Sequence, residues 1–250
     1  MSILDAGTVQ SEIAGGVATV RFGHPKGNSL PGVLLTQLAE AIGAMGREPA
    51  ARVIVLKSEG SGPFCAGASF DEFKAVKDAA AGQKFFSGFA AVIEAMIRAP
   101  KFVVTRVQGK TAGGGVGLVA ASDYCIAVES AALKLSELAL GIGPFVVGPV
   151  IERKVGLAAF SAMTVDAEWR SAAWAHQQGL YSEVLATIPA LDARVREFAA
   201  RQVGYSPEAV QRIKEVFWQG TEQWPALLAQ RAAISGELVL SDFTRKAIGG

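Results

Sequence analysis

A chain of 250 residues, half of them apolar and 19% charged, is long enough to bury a large core and too apolar to be intrinsically disordered. Its net charge of +1, with no basic run, excludes the electrostatic footprint of a nucleic-acid binder but not an anionic small ligand, which needs only a few local cations. No apolar stretch reaches the roughly 18 uncharged residues of a membrane span, and the opening MSILDAGTVQ lacks the basic and apolar regions of a secretory leader; a cytoplasmic location is expected from the two cysteines, which read as reduced thiols.

In chain order, TVQSEI and VATVRF read as two strands joined at Ala14-Gly15-Gly16, a hairpin turn with the φ freedom it needs. The turn-rich stretch His24 to Gly32 precedes an amphipathic helix in which Leu34, Leu35, Leu38, Ile42 and Met45 recur at helical spacing. Arg52 to Lys57 reads as a buried strand, and the glycine-rich SEGSGPFCAGAS after it as a loop. Helical pattern resumes from Phe85 to Ile97 and ends before Pro100. KFVVTRVQG is a strand, KTAGGGVGLVAAS a glycine cluster running into a short helix, and DYCIAV another buried strand. Strands alternating with helices predict an α/β core with right-handed parallel crossovers. After about Pro189 only helical pattern remains, which divides the chain into a core, 1–190, and a helical appendage, 191–250. Cys65 and Cys125 lie in apolar runs without a C-x-x-C pair, so reduced buried thiols are expected and zinc spacing is absent.

Two loops share one property. Phe64 to Ser69 and Gly113-Gly114-Gly115 each offer backbone N–H groups among residues too small to block a ligand, and the second also opens a helix. Facing each other, they could hold a developing oxyanion; taken singly, each could equally be a tight turn or a packing contact. Glu137, in LKLSELALG, has apolar neighbours on both sides. It sits either at an exposed strand end or in an apolar cleft, where its pKa would rise towards neutrality and suit it to acid/base work.

In wording and order these segments resemble the crotonase (enoyl-CoA hydratase/isomerase) family. PFCAGASFDEF resembles the family's first oxyanion segment, VQGKTAGGGVGLVAASDYCIA its second, KLSELALGIGP the segment of its catalytic glutamate, and RSAAWAHQQGLYSEV the helix that follows. The likeness covers roughly residues 8 to 190. It implies a spiral of ββα units with a C-terminal helical appendage, an acyl-CoA substrate and no separate cofactor. It also implies a homo-oligomer, a trimer or a dimer of trimers. By position, Ala68 and Gly114 would donate to the thioester oxygen and Glu137 would transfer the proton. Lys26, Asn28 and Leu30, with Cys65, Ala66 and Gly67, would border the pantetheine and adenine. Gly113, Gly117 and Phe145 would lie along the substrate, and Lys246, in the tail segment FTRKA, would approach a phosphate.

Two departures from the family pattern bear on the reaction. Ser69 stands where many relatives have Asp, and Gly117 where hydratases usually have a second glutamate. Adding water across a double bond usually needs two groups, whereas moving it from β,γ to α,β needs one base, so the residue count favours isomerisation. Asp71 or Glu72 could supply a second carboxylate, which keeps hydration as the alternative. A rival of another class is an NAD-dependent oxidoreductase, since Gly115-x-Gly117-x-x-Ala120 follows a strand and opens a helix. However, that helix is short, and Glu129 comes too early for the ribose-binding acid. With His24 and His176 as the only histidines and no G-x-S-x-G elbow, a Ser-His-Asp hydrolase lacks its parts.

Overall fold

The computed structural model describes residues 7–249; residues 1–6, on which the reading of the leader partly rests, lie outside the described residues. The strands are β1 Thr8–Ala14, β2 Val17–Gly23, β3 Val53–Ser58, β4 Val103–Val107, β5 Thr111–Ala112, β6 Tyr124–Val128, β7 Leu133–Lys134 and β8 Glu183–Leu185. The helices are α1 Gly32–Arg47, α2 Phe70–Ala75, α3 Ala79–Arg98, α4 Gly114–Ala120 and α5 Gly148–Asp166, then α6 Ala172–Gln177, α7 Ile188–Val203, α8 Pro207–Phe217, α9 Trp224–Leu238 and α10 Asp242–Ala247. Gly15 and Gly16, with φ of 56° and 81°, form the left-handed pair that a two-residue hairpin turn requires. β1 therefore folds back on β2 from Ala14 opposite Val17 to Thr8 opposite Gly23.

The remaining long strands add in parallel to give the order β1-β2-β3-β4-β6-β8. This order steps in one direction throughout. A dinucleotide-binding doubly wound sheet instead reverses direction and binds its cofactor at the reversal, so the oxidoreductase reading fails on topology. A second, smaller layer pairs β5 with β7 and is extended by single bridges between Leu30 and Ala68 and between Cys65 and Thr111. Each turn of the chain thus runs through a long strand, a short crossing segment and a helix. This is the expected spiral of ββα units.

β3 and β4 are buried on both faces and carry Val53, Ile54, Leu56, Val103 and Val104 into the core, as parallel strands covered by helices must. α1 packs Leu34, Leu35, Leu38 and Ile42 inward. α7 lies across β2, β3, β4, β6 and β8 with Leu191, Val195, Phe198 and Ala199 buried, so the division at 190 falls within its first turns. α9 runs along α3. There Gly82 and Gly236 meet so closely that a Cβ on Gly82 would lie 2.7 Å from the Gly236 Cα. Among the described residues no helix is long and apolar enough to cross a membrane.

Three elements differ from the sequence reading. α3 begins at Ala79 instead of Phe85, because the Asp78 side chain accepts from the Ala81 N–H at 2.8 Å and caps an exposed first turn that carries no apolar period. α2, to which no sequence pattern assigns an element, is a single capped turn and a half, too short for periodicity, with Ser69 Oγ accepting from the Glu72 N–H at 3.4 Å. α5 was not expected as a long helix, since its two halves meet at Gly156, where φ is 78° and the apolar stripe loses register.

Candidate active site

Backbone pairing in the small layer decides where the two glycine loops point their donors. Leu30 bonds Gly67 O through its own N–H at 2.8 Å and accepts from the Ser69 N–H at 3.1 Å. That uses the groups on either side of Ala68 and turns the Ala68 N–H to the other side of the strand. Across from it, Gly114 is the first residue of α4, so its N–H belongs to the helix-terminal donors that have no intrahelical acceptor. The loops are in contact: a Cβ on Gly67 would lie 3.2 Å from Ala112 O and 3.8 Å from Gly114 N, and Gly67 itself holds φ 92°. A residue with a side chain at position 67 would strain the turn and crowd the space between the two donors.

Both loops open on a cavity of about 330 Å³. Its mouth carries Lys26 and Asp71, both exposed and paired with each other. Its interior is aromatic and aliphatic: Phe73, Phe85, Phe86 and Phe89 come from α2 and α3, and Leu140 and Ile142 from the segment after Glu137. Phe73 stacks on Phe85, and Phe86 meets both edge-on.

Glu137 reaches the floor of this cavity from the loop after β7, just ahead of a 3-10 turn at Leu138–Leu140. A Cβ on Gly113 would lie 3.3 Å from Glu137 Oε1. The residue is half-exposed as a whole, yet its Oε2 is buried and, among the described residues, has no hydrogen-bond partner. Atom-level burial governs ionisation. Desolvation raises the carboxyl from 4.5 to about 7, opposed in part by the Glu137 and Ser136 backbone N–H groups. Of the two sequence alternatives, the apolar cleft is the one observed.

Of the thirteen residues assigned to the site from the sequence, eight line the cavity: Ala68, Gly114 and Glu137, with Lys26, Ala66, Gly67, Gly113 and Phe145 around them. Five do not. Asn28 is buried at φ 56° and braces its turn, donating to Glu59 O at 3.0 Å and Pro63 O at 2.8 Å. Leu30 is a core residue. Cys65 lies behind the loop, where its Sγ accepts from the Gly67 N–H at 3.4 Å and burial pushes the thiol up to about 12. Gly117 is walled off from the cavity, since a Cβ there would meet Val147 Cγ1 at 2.5 Å and Ile93 Cδ1 at 3.3 Å. Lys246 is exposed on α10; that helix reaches the Glu137 segment through Phe243 and Thr244, both 2.5 Å from where a Cβ on Gly141 would sit.

The candidate second carboxylates both have other partners. Glu72 Oε2 accepts from the Gly32 N–H at the start of α1, at 2.8 Å. Asp71 pairs with Lys26 in solvent, which holds its pKa below the usual value. Sequence reasoning missed Phe85, Phe86 and Phe89 as cavity walls, because their helical spacing is also that of an ordinary core face. It also missed Ser235 of α9, which no local pattern marks. Among the described residues no cluster of three or more His, Cys, Asp or Glu side chains could hold a metal ion.

Comparison with known proteins converges on one family. The family model for enoyl-CoA hydratase/isomerase matches residues 12–246. The chain is 31% identical over 199 residues to the mitochondrial methylglutaconyl-CoA hydratase of Rattus norvegicus, covering 78% of this chain and 63% of that protein. It is 29% identical over 205 residues to the (7aS)-7a-methyl-1,5-dioxo-2,3,5,6,7,7a-hexahydro-1H-indene-carboxyl-CoA hydrolase of Rhodococcus jostii (strain RHA1), covering 80% and 76%. In fold it matches the crystal structure of an enoyl-CoA hydratase from Bacillus halodurans with a TM-score of 0.88 at 20% identity, over 96% and 98% of the two chains.

Proposed function

The chain belongs to the enoyl-CoA hydratase/isomerase family, and from that premise we propose that it binds an acyl-CoA thioester as substrate and isomerises its double bond through an enolate. The thioester oxygen accepts from the Ala68 and Gly114 N–H groups, which take up the negative charge as it develops. The ionised Glu137 carboxylate removes a proton from C2 of a 3-enoyl thioester. The electron pair of that C–H bond enters the C1–C2 bond and pushes charge onto the oxygen, forming a dienolate. The resulting Glu137 carboxylic acid then protonates C4, which leaves the 2-enoyl thioester and restores the carboxylate.

One observation carries the choice of a one-base reaction. The cavity holds a single buried carboxylate, tuned to about 7, while Val147 fills the space beside Gly117 from which a second would act. A pKa near neutrality suits a group that must take up and return the same proton. The alternative is hydration of a 2-enoyl thioester, favoured by the hydratase named among the relatives and requiring Asp71 to leave Lys26 and turn inward. The helices from 191 to 250 are the proposed assembly region of a homotrimer or dimer of trimers. A cytoplasmic location, supported by the two free buried thiols, completes the reading.

The test is incubation with 3-enoyl-CoA and 2-enoyl-CoA in D2O. Double-bond migration with exchange at C2 and C4 and no 3-hydroxy product is expected. Rapid hydration of crotonyl-CoA without isomerisation would overturn the one-base reading and leave acyl-CoA binding intact.

A further inference from the structure

The cavity's polar side chains come from its exposed edge, from the segment of Glu137 and from α9. Lys26 and Asp71 pair at the exposed mouth, Ser29 Oγ lies 3.3 Å from a His24 ring nitrogen, and Ser136 adjoins Glu137 at the reacting end. Ser235 is different. It comes from α9, lines the cavity and is 1% exposed. One turn further along α9, Leu238 and Val239 pack into the apolar cluster of Phe73 and Ile142, with Phe85 and Phe86 beside it. Ser235 therefore lines the cavity from the helix whose end packs on its aromatic wall.

This hydroxyl has no internal use. Several hydroxyls within helices of this chain bond back to the carbonyl four residues earlier: Thr36 to Gly32, Ser87 to Gln83 and Thr164 to Phe160. Among the described residues the Ser235 side chain has no such bond and no other hydrogen-bond partner. The Ser235 Oγ is not sealed off: the residue keeps a trace of accessible surface on the cavity it lines, so water or a ligand group there can serve as its hydrogen-bond partner. The residue cannot swing away, because its neighbour Gly236 is locked against α3. A Cβ on Gly236 would lie 2.6 Å from Gln83 N and 2.8 Å from Ala79 O.

We infer that Ser235 is a specificity-determining residue that hydrogen-bonds a neutral oxygen, hydroxyl or carbonyl, borne on the acyl group of the substrate. This deepens the acyl-CoA reading and rests on it. Ser235 can donate to a carbonyl or accept from a hydroxyl. A terminal carboxylate is disfavoured, since the one lysine or arginine lining the cavity is Lys26, held at the mouth by Asp71. The remaining acyl surface meets the phenylalanine rings, so the preferred substrate is apolar along its length with one neutral oxygen where it meets α9.

Binding of saturated acyl-CoAs of increasing chain length tests this, each compared with its ω-hydroxy and ω-carboxy counterparts by calorimetry on the full chain. At one length the hydroxy compound should bind about tenfold tighter than its parent, one net hydrogen bond. The carboxy compound should bind more weakly than the parent. In Ser235→Ala the hydroxy-to-parent ratio should fall to about one or reverse, because the ligand hydroxyl is then itself unpartnered. A hydroxy advantage absent at every length, one retained in Ser235→Ala, or tightest binding by the carboxylate would overturn the inference while leaving the acyl-CoA reading in place. If none of the thioesters binds the wild type, the parent reading falls and this one with it.

Discussion

At the scale of single residues, Glu137 carries both the chemistry and a cost. Its carboxyl is buried with one oxygen unpartnered, so the charged form is disfavoured in the fold. As the base, it must be ionised, and the rate of C2 deprotonation should rise with pH to a plateau above about 7. Glu137→Gln keeps the shape and removes the base; turnover should fall at least about 100-fold with little change in thioester binding. An active Gln variant would make Glu137 structural. The same shift has a stability consequence. The folded pKa lies above the unfolded one, so the folded state holds its proton more tightly. Its contribution to stability is full below about 4.5 and is lost as pH rises through about 7. The loss is of order 3 kcal/mol, and Glu137→Gln should abolish it. Denaturant midpoints of both proteins at pH 5 and pH 8 check this: the variant should gain on wild type at the higher pH, and equal slopes would contradict the burial argument.

Between elements, the meeting of α4 and α5 decides whether a second carboxylate could act. Gly117 faces Val147, whose Cβ would be 2.9 Å from a Cβ at position 117. Gly117→Glu alone should cost about 1–3 kcal/mol through overpacking and produce little hydration. Paired with Val147→Ala, which clears the obstructing methyls, it should restore stability in part. The double variant should also add water to crotonyl-CoA, because two nearby carboxyls push their pKa values apart into an acid and a base. The double variant's hydration rate relative to wild type is the measurement. If the paired variant folds and still does not hydrate, absence of a second carboxylate is not what limits hydration here.

Across the whole molecule, the C-terminal helices are fastened to the core by more than apolar contact. Lys214 of α8 is 2% exposed and places its ammonium 2.7 Å from Asp123 Oδ2 while donating to Met96 O and Lys101 O. The same carboxylate oxygen accepts from the Val103 N–H at the start of β4. Burial lowers the Lys214 pKa, and the Asp123 charge opposes that shift. Lys214→Ala takes the paired cation from the buried Asp123 carboxylate, whose Oδ1 already has no partner among the described residues. The expected loss is about 3–5 kcal/mol, read as a drop in guanidinium midpoint at pH 7. A loss under about 1 kcal/mol would show that water replaces the lysine.

Features set by near neighbours are legible in the amino-acid sequence. Gly15-Gly16 specified a hairpin turn, VATVRF a strand and the leucines after Gly32 an inward helix face, whereas the parts of the site were named by family resemblance. The first three depend on neighbours within a few positions, and the chain states them directly. What only the tertiary structure decided depends on atoms from distant segments. Glu137 gains its near-neutral pKa from walls contributed by α2 and α3 as well as its own segment. Gly117 is silenced by Val147, some 30 residues on, and Asn28 turns out to brace a loop instead of lining the cavity. Ser235 lies well over 100 residues beyond the loops it faces, in a helix whose own pattern gives it no distinction. Burial and desolvation are properties of a filled volume, and no window of sequence contains the residues that fill it.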